Sequence, residues 1–165
     1  MEKLWQIAQK INTEQCSVAL SESMRAHTTF KIGGPADLYV RPRSIRALAE
    51  VLRRLENAAI PVFLLGGGAN ILVGDKGIRG AVIDTGLISS IYPVSGLKGG
   101  RVLLYAACGA SVSLLCEEAL ARGLSGLENF YGMPGSVGGA IYMNARCYDD
   151  EISLHVDEIW HLDTL

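Results

Sequence analysis

Gly66, Gly67 and Gly68, followed by Ala69, Asn70 and Ile71, are the residues of this sequence best suited to chemistry with an anion. With no Cβ at three successive positions, the backbone takes positive φ cheaply and its N–H groups can face an oxyanion, so a pyrophosphate fits there. A Walker loop is excluded, because no Gly-Lys-Ser/Thr ending opens a helix. A Rossmann fingerprint is excluded too: Ile71 stands where its third glycine belongs, and a β-like run replaces its helix. A dinucleotide held by this loop is held outside both folds. The competing reading is a tight glycine hairpin with no ligand.

A longer glycine track runs from Gly132 through Pro134, Gly135, Ser136, Gly138 and Gly139 to Asn144. It offers a second anion-friendly surface, and Gly33-Gly34-Pro35 forms a further backbone-exposing turn. Other candidates read as structural. His27 has no second ligand at metal spacing and is expected as a surface or capping histidine. Neighbouring Glu117 and Glu118 do not face one point on a helix and read as a solvated face. Asp149, Asp150, Glu151, His155, Asp157 and His161 match no metal-site spacing and read as an acidic loop before a strand.

The elements that must position these tracks follow from periodicity. Leu4, Ile7, Ala8 and Ile11 predict a short amphipathic helix, followed by a polar segment. Asp37 to Pro42 reads as a strand ending at proline. Ser44 predicts an N-cap for a helix from Ile45 to Asn57, buried through Leu48, Val51, Leu52 and Leu55, with Arg46, Arg53, Arg54 and Glu56 in solvent. Val62 to Leu65 and Ile71 to Val73 predict strands on either side of the glycine loop, the first completing a right-handed βαβ unit. Gly80 to Thr85, Leu87 to Val94 and Arg101 to Ala107 read as strands, with a loose turn at Gly96 to Gly100. Ser111 caps a helix from Val112 to Ala121 that stops at Gly123. A last strand is expected from Ile152 to Leu165.

With 165 residues and 49% hydrophobic content the chain can bury a core as one domain or two small lobes. Fifteen basic and seventeen acidic residues, without a basic stripe, argue against nucleic acid as a partner. Cys16, Cys108, Cys116 and Cys147 show no metal or disulfide pattern and read as reduced core thiols. No signal-peptide pattern and no membrane-length apolar run are present, so a cytoplasmic protein without membrane association is expected.

Three stretches taken together, Thr28 to Ala36, Leu65 to Val73 and Gly132 to Ala140, resemble the UDP-N-acetylenolpyruvoylglucosamine reductase family. The match runs from about His27 to the end. The resemblance implies an α+β, two-lobed FAD-binding fold of the vanillyl-alcohol-oxidase-like (PCMH-type) class, not Rossmann, with lobes at 1–86 and 87–165, the second incomplete. It implies FAD with its pyrophosphate over Gly66, Gly67, Gly68, Ala69, Asn70 and Ile71. Gly132, Pro134, Gly135, Ser136, Gly138, Gly139 and Asn144 would line the flavin and the remaining phosphate surface. The implied reaction takes the enolpyruvyl ether of UDP-N-acetylglucosamine to UDP-N-acetylmuramic acid for peptidoglycan, with NADPH as co-substrate and a nucleotide-sugar as the small-molecule partner. The cofactor supplies redox chemistry while protein groups orient it and provide a proton.

The family's Tyr-Arg segment, proton-donating serine and carboxylate lie further along than Leu165, so no catalytic residue is assigned here. The chain is expected to be a family member cut short before its substrate-binding domain and inactive alone. Ser136 matches a cofactor-track position, not the proton donor. Arg146-Cys147-Tyr148-Asp149-Asp150 replaces the family's Gly-Ala-Tyr-Gly-Gly, so either the loop runs differently or Arg146 brings charge near the flavin. The alternatives are an FAD-dependent oxidase of the same superfamily and a non-catalytic flavin or nucleotide-binding module.

Overall fold

The computed structural model describes residues 2–94 and 100–163. Helix α1 (Glu2–Ile11) buries Ala8 and Ile11, with Leu4 and Ile7 packed beside them, as the spacing requires. The polar segment that follows contains a strand, β1 (Cys16–Ser23), that periodicity did not reveal. It forms because it pairs antiparallel with β2 (Pro35–Pro42) along nearly its whole length, so ladder hydrogen bonds stand in for a hydrophobic pattern. Helix α2 (Ile45–Asn57) begins at Ser44, whose Oγ accepts the Ala47 N–H at 3.1 Å, and buries Leu48, Val51 and Leu55.

Strands β3 (Val62–Leu65) and β4 (Ile78–Asp84) run parallel to β2's direction, giving the order β1-β2-β4-β3. The expected strand-helix-strand unit is therefore present with β4 inserted between its two strands. Alternation sorts the residues by face. Leu38, Val40, Ala81 and Ile83 meet the helical residues Ala8, Ile11, Leu48, Val51 and Leu55, while Tyr39 and Val82 join Met24, Leu65 and Val73 in a second cluster.

The strand expected at Ile71–Val73 does not form, and the hairpin reading of the glycine loop falls with it. Those apolar side chains are used differently: Val73 is buried in the second cluster and Ile71 packs against it, anchoring the far end of the loop. A run of three residues is too short for its period to distinguish a strand from an anchor.

Beyond β4, strands β5 (Ile91–Val94) and β6 (Leu103–Ala106) pair antiparallel, with Pro93 opposite Leu104. The expected turn at Gly96 to Gly100 falls mostly outside the described residues. Ile88 and Ala107 pack into the same cluster as the first sheet, so burial crosses the sequence boundary at Gly86. Helix α3 (Val112–Ala121) is capped by Ser111, whose Oγ accepts the Leu114 N–H at 3.0 Å, and Gly123 follows it with φ +65°. A short helix, α4 (Val137–Tyr142), lies inside the second glycine track. Its two glycines are poor helix formers, and burial of Val137 and Ala140 together with the Ser136 cap overrides that propensity.

The chain then makes a small ladder of β7 (Arg146–Cys147) with β8 (Asp150–Glu151). The strand expected over the last segment is absent: Ile152–His155 is a 3-10 turn, and 156–163 carry no regular structure. Ile152 gives its N–H to the Ala145 carbonyl and its side chain to the cluster around Phe130, so the segment is held by packing instead of a ladder.

Candidate functional site

The glycine loop leaves the sheet where β3 ends. Thr85, just past β4, donates both its N–H and its Oγ–H to the Leu65 carbonyl, at 3.0 and 3.2 Å, fixing the exit. Residues 27–29 hold the loop from another side. The Thr29 N–H donates to the Gly68 carbonyl at 3.0 Å, and Thr29 Oγ lies 3.4 Å from the Ala69 carbonyl. Gly68 has φ +65°, and the His27 carbonyl sits where a Gly68 Cβ would be, so only glycine fits. By contrast, none of the backbone N–H groups of Gly66, Gly67, Gly68, Ala69 and Asn70 donates to another described residue. Carbonyls tied inward and amides unspent are the polarity an anion cradle needs.

The second track closes on the first. The Gly67 side-chain position faces the Gly135 backbone, and the Gly66 position faces Ser136 Oγ. Gly135, at φ +129°, lies against Ala69. Ser136, 3% exposed, caps α4 by accepting the Gly139 N–H at 3.2 Å. The Val137 and Gly138 N–H groups donate to the Ala110 and Cys108 carbonyls at 2.8 and 2.9 Å. The first turn of α4 thus has its amides satisfied internally, and Gly138 serves close packing on Cys108. Of this track, only the Gly135 and Ser136 N–H groups join the unspent set among the described residues.

The structure therefore brings Gly66, Gly67, Gly68, Ala69 and Asn70 together with Gly135, Ser136 and Gly139, with Ile71 as anchor and Pro134 exposed beside them. Gly132 and Asn144 are engaged elsewhere. The Gly132 N–H donates to Ser113 Oγ, and Asn144 Oδ1 accepts the Ser153 N–H, each at 3.2 Å.

Arg146 pairs with Glu151 at 2.9 Å across the β7–β8 ladder. The positive φ of that turn falls on Tyr148, at +55°, not on Asp149. Asp150 accepts hydrogen bonds from His155 and Asn129, at 2.8 and 3.3 Å, and the His155 bond holds its carboxyl below the usual range. Among the described residues, no group of three His, Cys, Asp or Glu is arranged to hold a metal. Glu118 pairs with Arg122 and Glu117 is exposed.

One polar cluster beside the loop leaves no periodic trace in the sequence. Tyr39 donates to Asp84 at 2.6 Å and touches His27 at 2.8 Å, and His27 in turn touches Glu22. Burial, then the Asp84 hydrogen bond and charge, push the Tyr39 phenol far above its ordinary range. The signal was present in one residue: Asp84 is a carboxylate at the end of the apolar run from Gly80 to Ile83, and such a group, once buried, must be paired.

Comparison with known proteins bears on this site. A family model described as an FAD binding domain matches residues 36–164. A UDP-N-acetylenolpyruvoylglucosamine reductase of Clostridium botulinum is 41% identical over 147 residues, which is 89% of this chain and 46% of that protein. The reductase of Caldanaerobacter subterraneus is 42% identical over 144 residues, 87% of this chain and 46% of that one. Among solved structures, the UDP-N-acetylenolpyruvylglucosamine reductase of Thermus caldophilus aligns with a TM-score of 0.59 at 34% identity, over 82% of this chain and 44% of the other. Cholesterol oxidase of Brevibacterium sterolicum aligns with a TM-score of 0.58 at 14% identity, over 81% and 25%, a likeness of fold alone. The chain spans about half the length of the curated relatives it matches (46%).

Proposed function

This chain belongs to the FAD binding domain family, and from that premise we propose that it is the FAD-holding part of a UDP-N-acetylmuramate-forming reductase. Its fold is α+β, of the vanillyl-alcohol-oxidase-like FAD-binding class, not Rossmann. The observation that carries the proposal is the set of unspent amides where the two glycine tracks meet. Seven N–H groups, from residues 66–70, 135 and 136, point to a pyrophosphate held by backbone amides. Ile71 and Thr29 fix the loop, and Gly138 and Gly139 let α4 approach closely enough to bring Gly135 and Ser136 to it. Gly132, Pro134 and Asn144 would line the flavin further along the track, with the Gly132 N–H and Asn144 Oδ1 already spent on Ser113 and Ser153.

Bound there, FAD supplies two-electron redox chemistry. The whole protein would use NADPH to reduce the enolpyruvyl ether of UDP-N-acetylglucosamine in the cytoplasm, a step of cell wall biogenesis that supports cell shape. This chain's share is binding and orientation, divided between lobes at 1–86 and 87–165. Ser136 has its Oγ engaged as a helix cap, which agrees with a positioning role and gives it no proton-transfer step.

The visible absorption spectrum of the purified chain tests this directly, with any released ligand identified by chromatography. A flavin spectrum with FAD released on denaturation is expected. A chain that is folded by circular dichroism yet neither retains nor takes up FAD overturns the assignment.

A further inference from the structure

The two glycine tracks are joined through a third piece of backbone that belongs to neither. Residues 107–110 form a turn in which the Ala110 N–H donates to the Ala107 carbonyl at 3.0 Å, and both alanines are buried. One side of this turn leads to the root of the first track. The Gly109 N–H donates to the Ile88 carbonyl at 2.9 Å, and the Ile88 N–H donates to the Thr85 carbonyl at 2.8 Å. Thr85 in turn holds the Leu65 carbonyl, one residue before Gly66.

The other side of the turn carries the second track. The Cys108 and Ala110 carbonyls accept the Gly138 and Val137 N–H groups, and the Val112 N–H donates back to the Gly135 carbonyl at 3.2 Å. Ser111 and Ser136, the caps of α3 and α4, therefore lie side by side as an antiparallel bridge. Each step from Leu65 to Gly135 is a main-chain hydrogen bond, so the spacing is set by backbone geometry and not by side-chain rotamers.

Gly109 is the point in this bracket without slack. A Cβ there would fall on the Thr85 carbonyl oxygen, and would lie 2.6 Å from the Thr85 carbonyl carbon and 2.8 Å from the Ile88 carbonyl oxygen. All three are backbone atoms that cannot rotate aside. The φ of Gly109 lies outside the left-handed region, so glycine is needed there for space alone. Gly138 approaches the opposite side as closely, its Cβ position 2.8 Å from Cys108 Cβ and 2.9 Å from the Cys108 carbonyl oxygen. We propose that Gly109 is a positioning residue for the amide cradle: by letting residues 107–110 seat on residues 85–88, it fixes the distance between the two tracks and preorganises the free amides at 66–70, 135 and 136. Donors already in place spare a ligand the cost of ordering them. Only the consequence for FAD rests on the proposed function; the coupling of Gly109 to the tracks does not.

The test compares Gly109→Ala with Ile11→Ala, a truncation on the buried face of α1, which packs on β1, β2 and α2. Amide NMR of the isotope-labelled chain reads Gly66, Gly67, Gly135 and Ser136 without ligand, and a fluorescence titration well below each melting temperature reads FAD affinity. Gly109→Ala should shift all four amides and weaken FAD about tenfold or more. Ile11→Ala should lower the melting temperature yet leave the four amides and the affinity as they were. A role in stability alone would instead make affinity follow stability in both variants.

Unmoved track amides in Gly109→Ala, an FAD affinity equal to the parent's, or affinities that fall with stability in both variants would each overturn the proposal. Shifted amides in a chain whose parent binds no FAD would support the coupling and overturn the cofactor assignment instead. FAD held equally by parent and Gly109→Ala, with unmoved amides, would do the reverse. Should Gly109→Ala fail to fold, native-state hydrogen exchange of the parent gives the answer. The Thr85, Gly109, Val137 and Gly138 amides should then open as one unit with a common protection. Val137 and Gly138 exchanging well ahead of Thr85 and Gly109 would overturn the proposal.

Discussion

Gly67 meets Gly135 backbone to backbone: a Cβ on Gly67 would lie 2.6 Å from the Gly135 Cα and 2.9 Å from its carbonyl carbon. Two stretches of chain 68 positions apart thereby touch at the place where both leave their amides free. The glycines come close to each other first, and the cradle is the consequence.

Replacing Gly67 by alanine should therefore separate the tracks. No flexible side chain stands in the way to give ground, so we expect a loss of about 1–3 kcal/mol in stability together with loss of FAD retention. Gly74→Ala is the control, since nothing lies within 4 Å of its side-chain position. It should change stability by no more than about 0.5 kcal/mol. Thermal unfolding and visible flavin absorbance check both.

Gly66 and Ser136 should behave as a coupled pair. A Gly66 Cβ would collide with the Ser136 hydroxyl, whereas Ser136 Cβ stays at an ordinary 3.6 Å. Gly66→Ala should displace the hydroxyl and cost the α4 cap, about 1 kcal/mol, and Ser136→Ala should cost the same by deleting it. The double variant should cost little more than either alone. Additive losses in a denaturant-unfolding cycle would contradict this geometry.

Tyr39 should govern the alkaline limb of the stability curve. Its phenol is raised above the free value of about 10, so the stability it contributes is complete below that pH and drains away as the pH climbs toward the folded-state value. Tyr39→Phe should cost about 1–3 kcal/mol at neutral pH, by leaving Asp84 short of a donor, and should flatten the loss above pH about 10. Melting temperature against pH for the two chains is the measurement.

The thiols should be shielded in the native state. Burial raises Cys16, Cys108 and Cys116, in each case as the largest cause, and all four cysteines are free. A thiol reagent at mildly alkaline pH should modify Cys16 and Cys116 only on the timescale of unfolding, and all four at once in denaturant. Mass spectrometry of partly modified protein distinguishes the positions.

Helices were the most legible elements, because each carries its signal locally. Ser44 and Ser111 mark the starts of α2 and α3, and the apolar stripe between Leu48 and Leu55 turns at the helical period. Strands that owe their existence to a neighbour were legible only where their own residues alternate or run apolar. β4 qualified, and β1 did not, because Ser17, Ser21, Glu22 and Ser23 look like a loop until the partner strand is known. Ile71 to Val73 erred the other way: an apolar run signals burial, and burial there is an anchor.

Composition and residue order alone determined that this chain carries two glycine tracks fit for backbone contact with an anion, in neither a Walker nor a Rossmann setting. They determined it because a missing Cβ and a missing motif residue are properties of the sequence itself. Tertiary structure decided which of those amides remain available. The N–H groups of Val137, Gly138 and Gly139 are satisfied by Ala110, Cys108 and Ser136, while those at 66–70 are left open, and no local pattern distinguishes the two. It also decided that His27, Tyr39 and Asp84, scattered over 58 positions, form one row, since hydrogen bonding depends on distance in space and the strand order brings β2 and β4 side by side.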